Sequence, residues 1–230
     1  MIKDPTIKAL IFDFDGLILD TERPIYQSWK EIYESFGSQL HLSDWANVIG
    51  AGPKMHDLYA LLEKQLGYPV QREQVGAPRK QREVELIEAQ EVLPGVRETL
   101  ESAKKLGLKI GLASSSSCKW VTGHLSRLGL LDYFDVIRAE DDVAYTKPDP
   151  ELYLKVIEAF SLHPSQAVAF EDSPNGILAA KRAGLFCVAV PNTLTSQLPL
   201  DQADLRLDSL SDLTLEELLV KIEQLKAEQN

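Results

Sequence analysis

Cysteine is nearly absent from this chain. The two that occur, Cys118 and Cys187, have no neighbouring cysteine and lie in apolar stretches, so a disulfide framework is excluded and both read as reduced structural thiols. Basic residues are also scarce. Lys and Arg number 24 against 35 Asp and Glu, a net charge of −11, which argues against nonspecific attraction to nucleic acid or to an anionic membrane. A divalent cation is a better partner for such a chain. No apolar run approaches the roughly 20 residues of a membrane span. The opening Met1-Ile2-Lys3-Asp4-Pro5 sets an acid and a proline where a signal peptide needs unbroken apolar residues. Repeats and low-complexity segments are missing too. The expectation is a soluble cytoplasmic protein, acting as a monomer, with no nucleic-acid or membrane partner.

What is present begins with Ile7-Lys8-Ala9-Leu10-Ile11-Phe12-Asp13-Phe14-Asp15-Gly16. An apolar run ending in two aspartates is the pattern of a strand buried on both faces that stops at a site rather than in a turn. Side chains on a strand alternate, so Asp13 and Asp15 leave the backbone in the same direction if the chain stays extended through Phe14. Like charges that close call for a cation, a shared proton, or both. Gly16 allows a sharp exit.

With 230 residues, 44% of them apolar, the chain can form one large domain or two small ones. After the first strand the pattern is helical only. Helices are expected over 21–36 with Thr21 as N-cap, 43–49, 54–66, and 71–89 divided near Gly76 and Pro78. Strands and helices alternate afterwards. Strands are expected over 108–113, 135–138, 167–170 and 186–190. Between them lie helices over 96–106, 119–128, 150–160 with Asp149 as N-cap, and 174–183 capped by Ser173. A last helix opens with the capping box Thr214 to Glu217. This order predicts an α/β fold, a doubly wound parallel sheet (1–19 and 92–230) with a helical domain (20–91) inserted after the first strand. Ligands of such sheets sit beyond the carboxyl ends of the strands. At those ends lie Asp13 with Asp15, then Ser114 at the head of a run of serines, Lys147 in a following loop, and Glu171 with Asp172.

Asp13-Phe14-Asp15-Gly16, followed by Asp20-Thr21-Glu22, resembles the first signature of the haloacid dehalogenase-like superfamily. Within it, the nearest branch is that of the β-phosphoglucomutases and phosphoglycolate phosphatases. Ser114, Lys147, Glu171 and Asp172 match the remaining family motifs in order and spacing. The resemblance implies a Rossmann-like core and a mobile helical cap that closes over the site. It implies a Mg²⁺-dependent phosphatase of small phosphorylated metabolites, such as a sugar phosphate or phosphoglycolate, working through an aspartyl phosphate. Asp13 is then the nucleophile and Asp15 the general acid and base. Ser114 and Ser115 hold the phosphoryl oxygens, and Lys147 offsets their charge. Mg²⁺ is held by Asp13, the Asp15 carbonyl, Asp172 and, directly or through a water, Glu171. Lys54 and Arg79 are the cap residues expected to contact substrate, although for the cluster Arg79, Lys80 and Arg82 a solvated helix face is the competing reading. Asp20 and Glu22 fall at the cap hinge.

Two other functions fit parts of the pattern. A phosphosugar mutase like β-phosphoglucomutase shares the core. The family's mutases carry a histidine early in the first cap helix, where this chain has Ile25, and an arginine where it reads Gly52-Pro53-Lys54. A phospho-accepting receiver module also uses Asp, a hydroxyl, Lys and Mg²⁺ on a parallel sheet. An inserted cap and a second aspartate serve turnover rather than storage of a signal.

Overall fold

Ala9–Phe12 forms the strand β1 in the computed structural model, which describes residues 7–46 and 57–228. All four of its residues are fully buried, as a strand covered on both faces requires. The chain continues through α1 (Glu22–Ser35), α2 (Leu42–Ala46), α3 (Leu58–Leu66), α4 (Arg72–Glu88) and α5 (Val96–Lys105). Then follow β2 (Lys109–Ala113), α6 (Cys118–Arg127), β3 (Val136–Arg138), α7 (Glu151–Phe160) and β4 (Ala167–Glu171). The last elements are α8 (Pro174–Arg182), β5 (Phe186–Ala189), β6 (Leu205–Arg206) and α9 (Leu215–Glu228).

The six strands form one parallel sheet in the order β3-β2-β1-β4-β5-β6. Strand order reverses direction beside β1, which puts the crevice of a doubly wound sheet at the carboxyl ends of β1, β2 and β4. Register makes this concrete. Phe12 lies level with Leu112 on one side and Phe170 on the other, so the residues that follow each strand emerge at one edge. Phe12 stacks on Phe170 at 4.8 Å and meets Phe134 edge-on at 6.3 Å, which fixes that edge from below. β6 is only two residues long and was not expected from the sequence.

The chain divides into two compact units. Met1–Leu19, Glu91–Asn192 and Pro199–Asn230 make up the sheet and its helices; Asp20–Gln90 with Thr193–Leu198 make up the second. In the first, α7 packs on β2 and β3 and against α8, which covers β4 and β5, while α5 packs on β2 and against α9. Leu19 pairs antiparallel with Val92, and Leu93 N–H donates to the Ile18 carbonyl (3.0 Å), so the outgoing and returning chains are tied side by side.

The helical unit is built around Trp29, Tyr33, Leu40, Trp45, Leu58, Leu62 and Leu194, with Ile25 packed against this cluster. Burying each large apolar side chain contributes about 1.5–3 kcal/mol. The tyrosine hydroxyls are satisfied across it: Tyr33 donates to the Leu58 carbonyl (2.7 Å) and Tyr26 to that of Leu40 (3.1 Å). Helix boundaries differ from expectation in places with physical reasons. α4 runs unbroken through Pro78, because the proline is exposed and water can satisfy the carbonyl whose amide partner it lacks. α3 begins at Leu58 because Asp57 is extended and caps it, accepting from the amides of Tyr59 (3.0 Å) and Ala60 (3.2 Å). Thr21 occupies the N-cap position of α1 but makes no capping bond; Asp20 accepts the Arg23 amide instead (3.0 Å). Pro150, expected in the first turn of α7, sits at its N-cap, with Asp149 accepting from the Glu151 amide (3.0 Å). The parts of the expected helices over 47–49 and 54–56 lie outside the described residues.

Candidate active site

Asp13 is delivered by β1 itself. Its amide continues the sheet by donating to the Phe170 carbonyl (3.0 Å), so its side chain stands beside the end of β4. Glu171 ends β4, fully buried, and Asp172 follows, 3% exposed. Carboxylate oxygens of Asp13, Glu171 and Asp172 all lie within 4.8 Å of one another. Lys147, from the loop before α7, meets this cluster with its ammonium against Asp13 and 2.6 Å from Glu171. Its side chain is 6% exposed, so the pairs are drawn out of water and strong.

Charge within the cluster does not balance. Burial pushes the Asp13 carboxyl up, Glu171 and Asp15 push it further, and Lys147 opposes them, leaving it at about 8. Burial works to lower the Lys147 ammonium, but Asp13 and Glu171 outweigh it and hold it above its ordinary range. One cation among three carboxylates leaves excess negative charge that only a proton or another cation removes.

Glu171 is the member whose surroundings are most built. Its Oε1 takes the hydroxyl of Tyr153, whose ring carries Lys147 at 5.2 Å from its centre. Oε2 is buried with no hydrogen-bond partner. Asp172 accepts from Asn192 Nδ2 (2.8 Å), which also reaches the Gly16 carbonyl (3.3 Å). Gly16 has φ +81°, and a Cβ there would overlap Asp172 and Asn192. Both the turn and the close approach therefore require glycine.

Asp15 is held differently. Oδ2 accepts from Ser116 Oγ (2.6 Å) and Oδ1 from the indole nitrogen of Trp120 (3.1 Å). Ser114 extends β2, donating its amide to the Arg138 carbonyl (3.0 Å), and is 1% exposed. Its Oγ accepts from the Ser116 amide (3.0 Å), which leaves the hydroxyl proton to donate. Ser115 is exposed beside it, and Ser117 caps α6.

The structure thus gathers Asp13, Asp15, Ser114, Lys147, Glu171 and Asp172 at one edge of the sheet. Arg79 belongs to the helical unit. There it pairs with Glu83, donates to Ser28 Oγ (3.2 Å) and stacks over Trp29 at 4.8 Å, with Nε buried and unpartnered. Lys80 also pairs with Glu83, and Arg82 with Glu31 (2.9 Å). Lys54 lies outside the described residues. Cys118 is exposed in the first turn of α6 rather than set among apolar neighbours; Cys187 is buried. Four residues that sequence reasoning passed over contact the site: Ser116, Trp120, Tyr153 and Asn192. Tyr153 and Trp120 carried the signal of helix-face aromatics, which ordinarily means core.

The family model described as haloacid dehalogenase-like hydrolase matches residues 10–190. The chain is 49% identical over 213 residues to the "Putative phosphatase YhcW" of Bacillus subtilis strain 168, covering 93% of this chain and 96% of that protein. It is 36% identical over 182 residues to a phosphorylated carbohydrates phosphatase of Thermotoga maritima, covering 78% and 82%. A solved structure of a β-phosphoglucomutase from Clostridium difficile superposes with a TM-score of 0.73 at 27% identity, covering 95% and 98%.

Proposed function

Because the chain belongs to the haloacid dehalogenase-like hydrolase family, we propose that it is a Mg²⁺-dependent phosphatase of small phosphorylated metabolites, with phosphosugars as the substrate class and Asp13 as nucleophile. The observation that carries this reading is the Asp13 carboxylate held between the Lys147 ammonium and the carboxylates of Glu171 and Asp172, with Asp15 anchored two residues on.

Asp13 attacks phosphorus. A bond forms between its carboxylate oxygen and the phosphoryl group as the bond to the sugar oxygen breaks, and Asp15 gives that oxygen its proton. Asp15 then takes a proton from water, whose oxygen attacks the acyl phosphate, releasing phosphate and restoring Asp13. Lys147 stabilises the charge on the phosphoryl oxygens, and the Ser114 hydroxyl, with the amide of the turn at Ser115, orients them.

The donor set fits a hard divalent cation. It is all oxygen, and it is overcharged, with one ammonium set among three buried carboxylates. Asp13, Asp172 and the Asp15 carbonyl would hold Mg²⁺, which supplies charge neutralisation of the phosphoryl group. Glu171 commits Oε1 to Lys147 and Tyr153, so its main part is to hold the lysine.

A mutase reading is favoured by the structural likeness to β-phosphoglucomutase, but Ile25 packs into the apolar cluster of the helical unit and cannot relay a proton. The test is a screen of phosphorylated sugars, sugar alcohols, glycolate and nucleotides with Mg²⁺, following released phosphate. Hydrolysis of one class, lost in Asp13→Asn, is expected. Undiminished turnover by that variant would falsify the assignment of Asp13.

A further inference from the structure

We propose that Trp120, together with Ser116, is a positioning residue that fixes the orientation of the Asp15 carboxylate for proton transfer to the leaving group. This rests on the reading of Asp15 as general acid and deepens it. The two donors address different oxygens of one carboxylate: the indole nitrogen reaches Oδ1 at 3.1 Å and the serine hydroxyl Oδ2 at 2.6 Å. Two bonds to opposite corners remove both the tilt of the carboxylate plane and its swing about the Cα–Cβ bond; either alone would leave one of these free.

Trp120 is itself fixed. It stands in the first turn of α6, its amide donating to the capping Ser117 Oγ (3.4 Å). Its ring meets His124 edge-on at 4.3 Å, and His124 in turn lies over Phe14 at 6.2 Å. Phe14 is the fully buried residue between the two aspartates. A continuous packed path thus leads from the end of β1 through α6 and back to Asp15, so the indole cannot follow the carboxylate if it turns away. Serine elsewhere in this turn has other work: Ser114 extends the sheet and Ser117 caps the helix.

A misaligned general acid should slow departure of a poor leaving group and spare a good one, because a nitrophenolate leaves without a proton and a sugar alkoxide does not. The ratio kcat/KM reports the path up to leaving-group departure, so it isolates this step from the later attack of water. We would measure kcat/KM of the full chain with Mg²⁺ for p-nitrophenyl phosphate, phenyl phosphate and glucose 6-phosphate. In Trp120→Phe the value for glucose 6-phosphate should fall by about tenfold or more and that for p-nitrophenyl phosphate by less than about threefold, with phenyl phosphate between. Ser116→Ala, which deletes the other donor without touching the ring packing, should give the same ordering and stands as the test should Trp120→Phe fail to fold. An equal loss across the three substrates, or no loss, overturns the proposal.

The contact is also read without turnover. In protein labelled with nitrogen-15, the Trp120 indole N–H signal, assigned by its disappearance in Trp120→Phe, should shift and exchange faster with solvent in Asp15→Ala. An unmoved signal overturns the proposal. Wild-type protein that hydrolyses none of the three phosphates, nor any in the wider screen, would instead remove the phosphatase reading itself.

Discussion

Gly176, in the first turn of α8, lies so close to Glu171 that a Cβ there would overlap both of its carboxylate oxygens. Gly176 donates its amide to Ser173 Oγ (3.2 Å), so the helix start is anchored and cannot back away. Gly176→Ala must therefore push Glu171 off Lys147 and Tyr153. Overpacking of this kind costs typically about 1–3 kcal/mol, and here it also disturbs Lys147, which pairs with both Glu171 and Asp13. Urea unfolding should show a lowered midpoint and phosphatase assays a reduced kcat. Wild-type values for both would mean that Glu171 has room the structure does not show.

Tyr153→Phe asks a narrower question. The ring and its contact with the Lys147 ammonium remain, and only the hydroxyl bonded to Glu171 is lost. A hydrogen bond to a charged group contributes about 1.5–3 kcal/mol, so stability should drop by that order. With Glu171 less restrained, Lys147 should hold the phosphoryl group less well, and kcat should fall more than KM rises. A rise confined to KM would place the hydroxyl's role elsewhere.

Without a bound cation, the charge imbalance of the cluster should show as a pH dependence. The Asp13 carboxyl is raised from its ordinary 3.8 to about 8 by burial, then by Glu171 and Asp15, against Lys147. The folded protein therefore holds a proton here that the unfolded chain releases. The stability this group contributes is full below about pH 4 and is lost as pH rises through about 8. A divalent cation needs the carboxylate, so it competes with that proton and binds more tightly as pH rises. The rise in melting temperature on adding Mg²⁺ should be larger at about pH 9 than at about pH 6. An equal rise at both would show that Asp13 does not exchange a proton for the metal.

Asp172→Ala should weaken Mg²⁺ binding more than it harms the chemistry, since it takes one carboxylate out of the proposed ligand set and leaves Asp13, Lys147 and Asp15 in place. Added Mg²⁺ should then recover part of the rate, with a half-saturating concentration raised by about 10- to 100-fold. Unchanged metal affinity, read by titration calorimetry, would remove Asp172 from the ligand set.

These sites differ in how far they could be read before the structure. Asp13, Lys147, Glu171 and Asp172 stand where an apolar strand or its following loop meets polar residues, and that pattern is visible along the chain because a buried parallel strand needs unbroken apolar sequence. Trp120, Tyr153 and Asn192 are different. Each touches a residue more than 15 positions away, and nothing local separates an aromatic that donates to a carboxylate from one that fills a core. The same limit explains the fold. Five strands were legible from apolar runs, whereas β6, two residues long, exists because Leu205 and Arg206 lie beside β5 and Asp204 accepts the Cys187 amide (2.8 Å). Pro78 misled in the opposite sense: its lost hydrogen bond and ring clash are local costs, and the packing of α4 on α1 outweighs them.

Hydrolysis and transfer within a sugar make different demands on the helical unit. A mutase must hold a bisphosphorylated intermediate, let it reorient and suppress attack by water, which calls for cationic or proton-relaying groups on the helical unit. Ile25 provides neither, being an aliphatic side chain packed against the apolar cluster of the helical unit. Arg79 has the right charge, but its guanidinium is already engaged by Glu83 and Ser28 and stacked on Trp29, with a side-chain exposure of 14%. Freeing it to bind a second phosphate would leave the Glu83 carboxylate, 6% exposed, with only Lys80. Uncovering a buried charge this way costs several kcal/mol, more than one exposed phosphate contact returns. Incubated with β-glucose 1-phosphate, Mg²⁺ and a trace of the bisphosphate, the protein should release phosphate faster than it forms glucose 6-phosphate. Isomerisation outrunning hydrolysis by about a hundredfold, the size of one general acid-base contribution, would make it a mutase and move Arg79 from the framework of the helical unit into its substrate site.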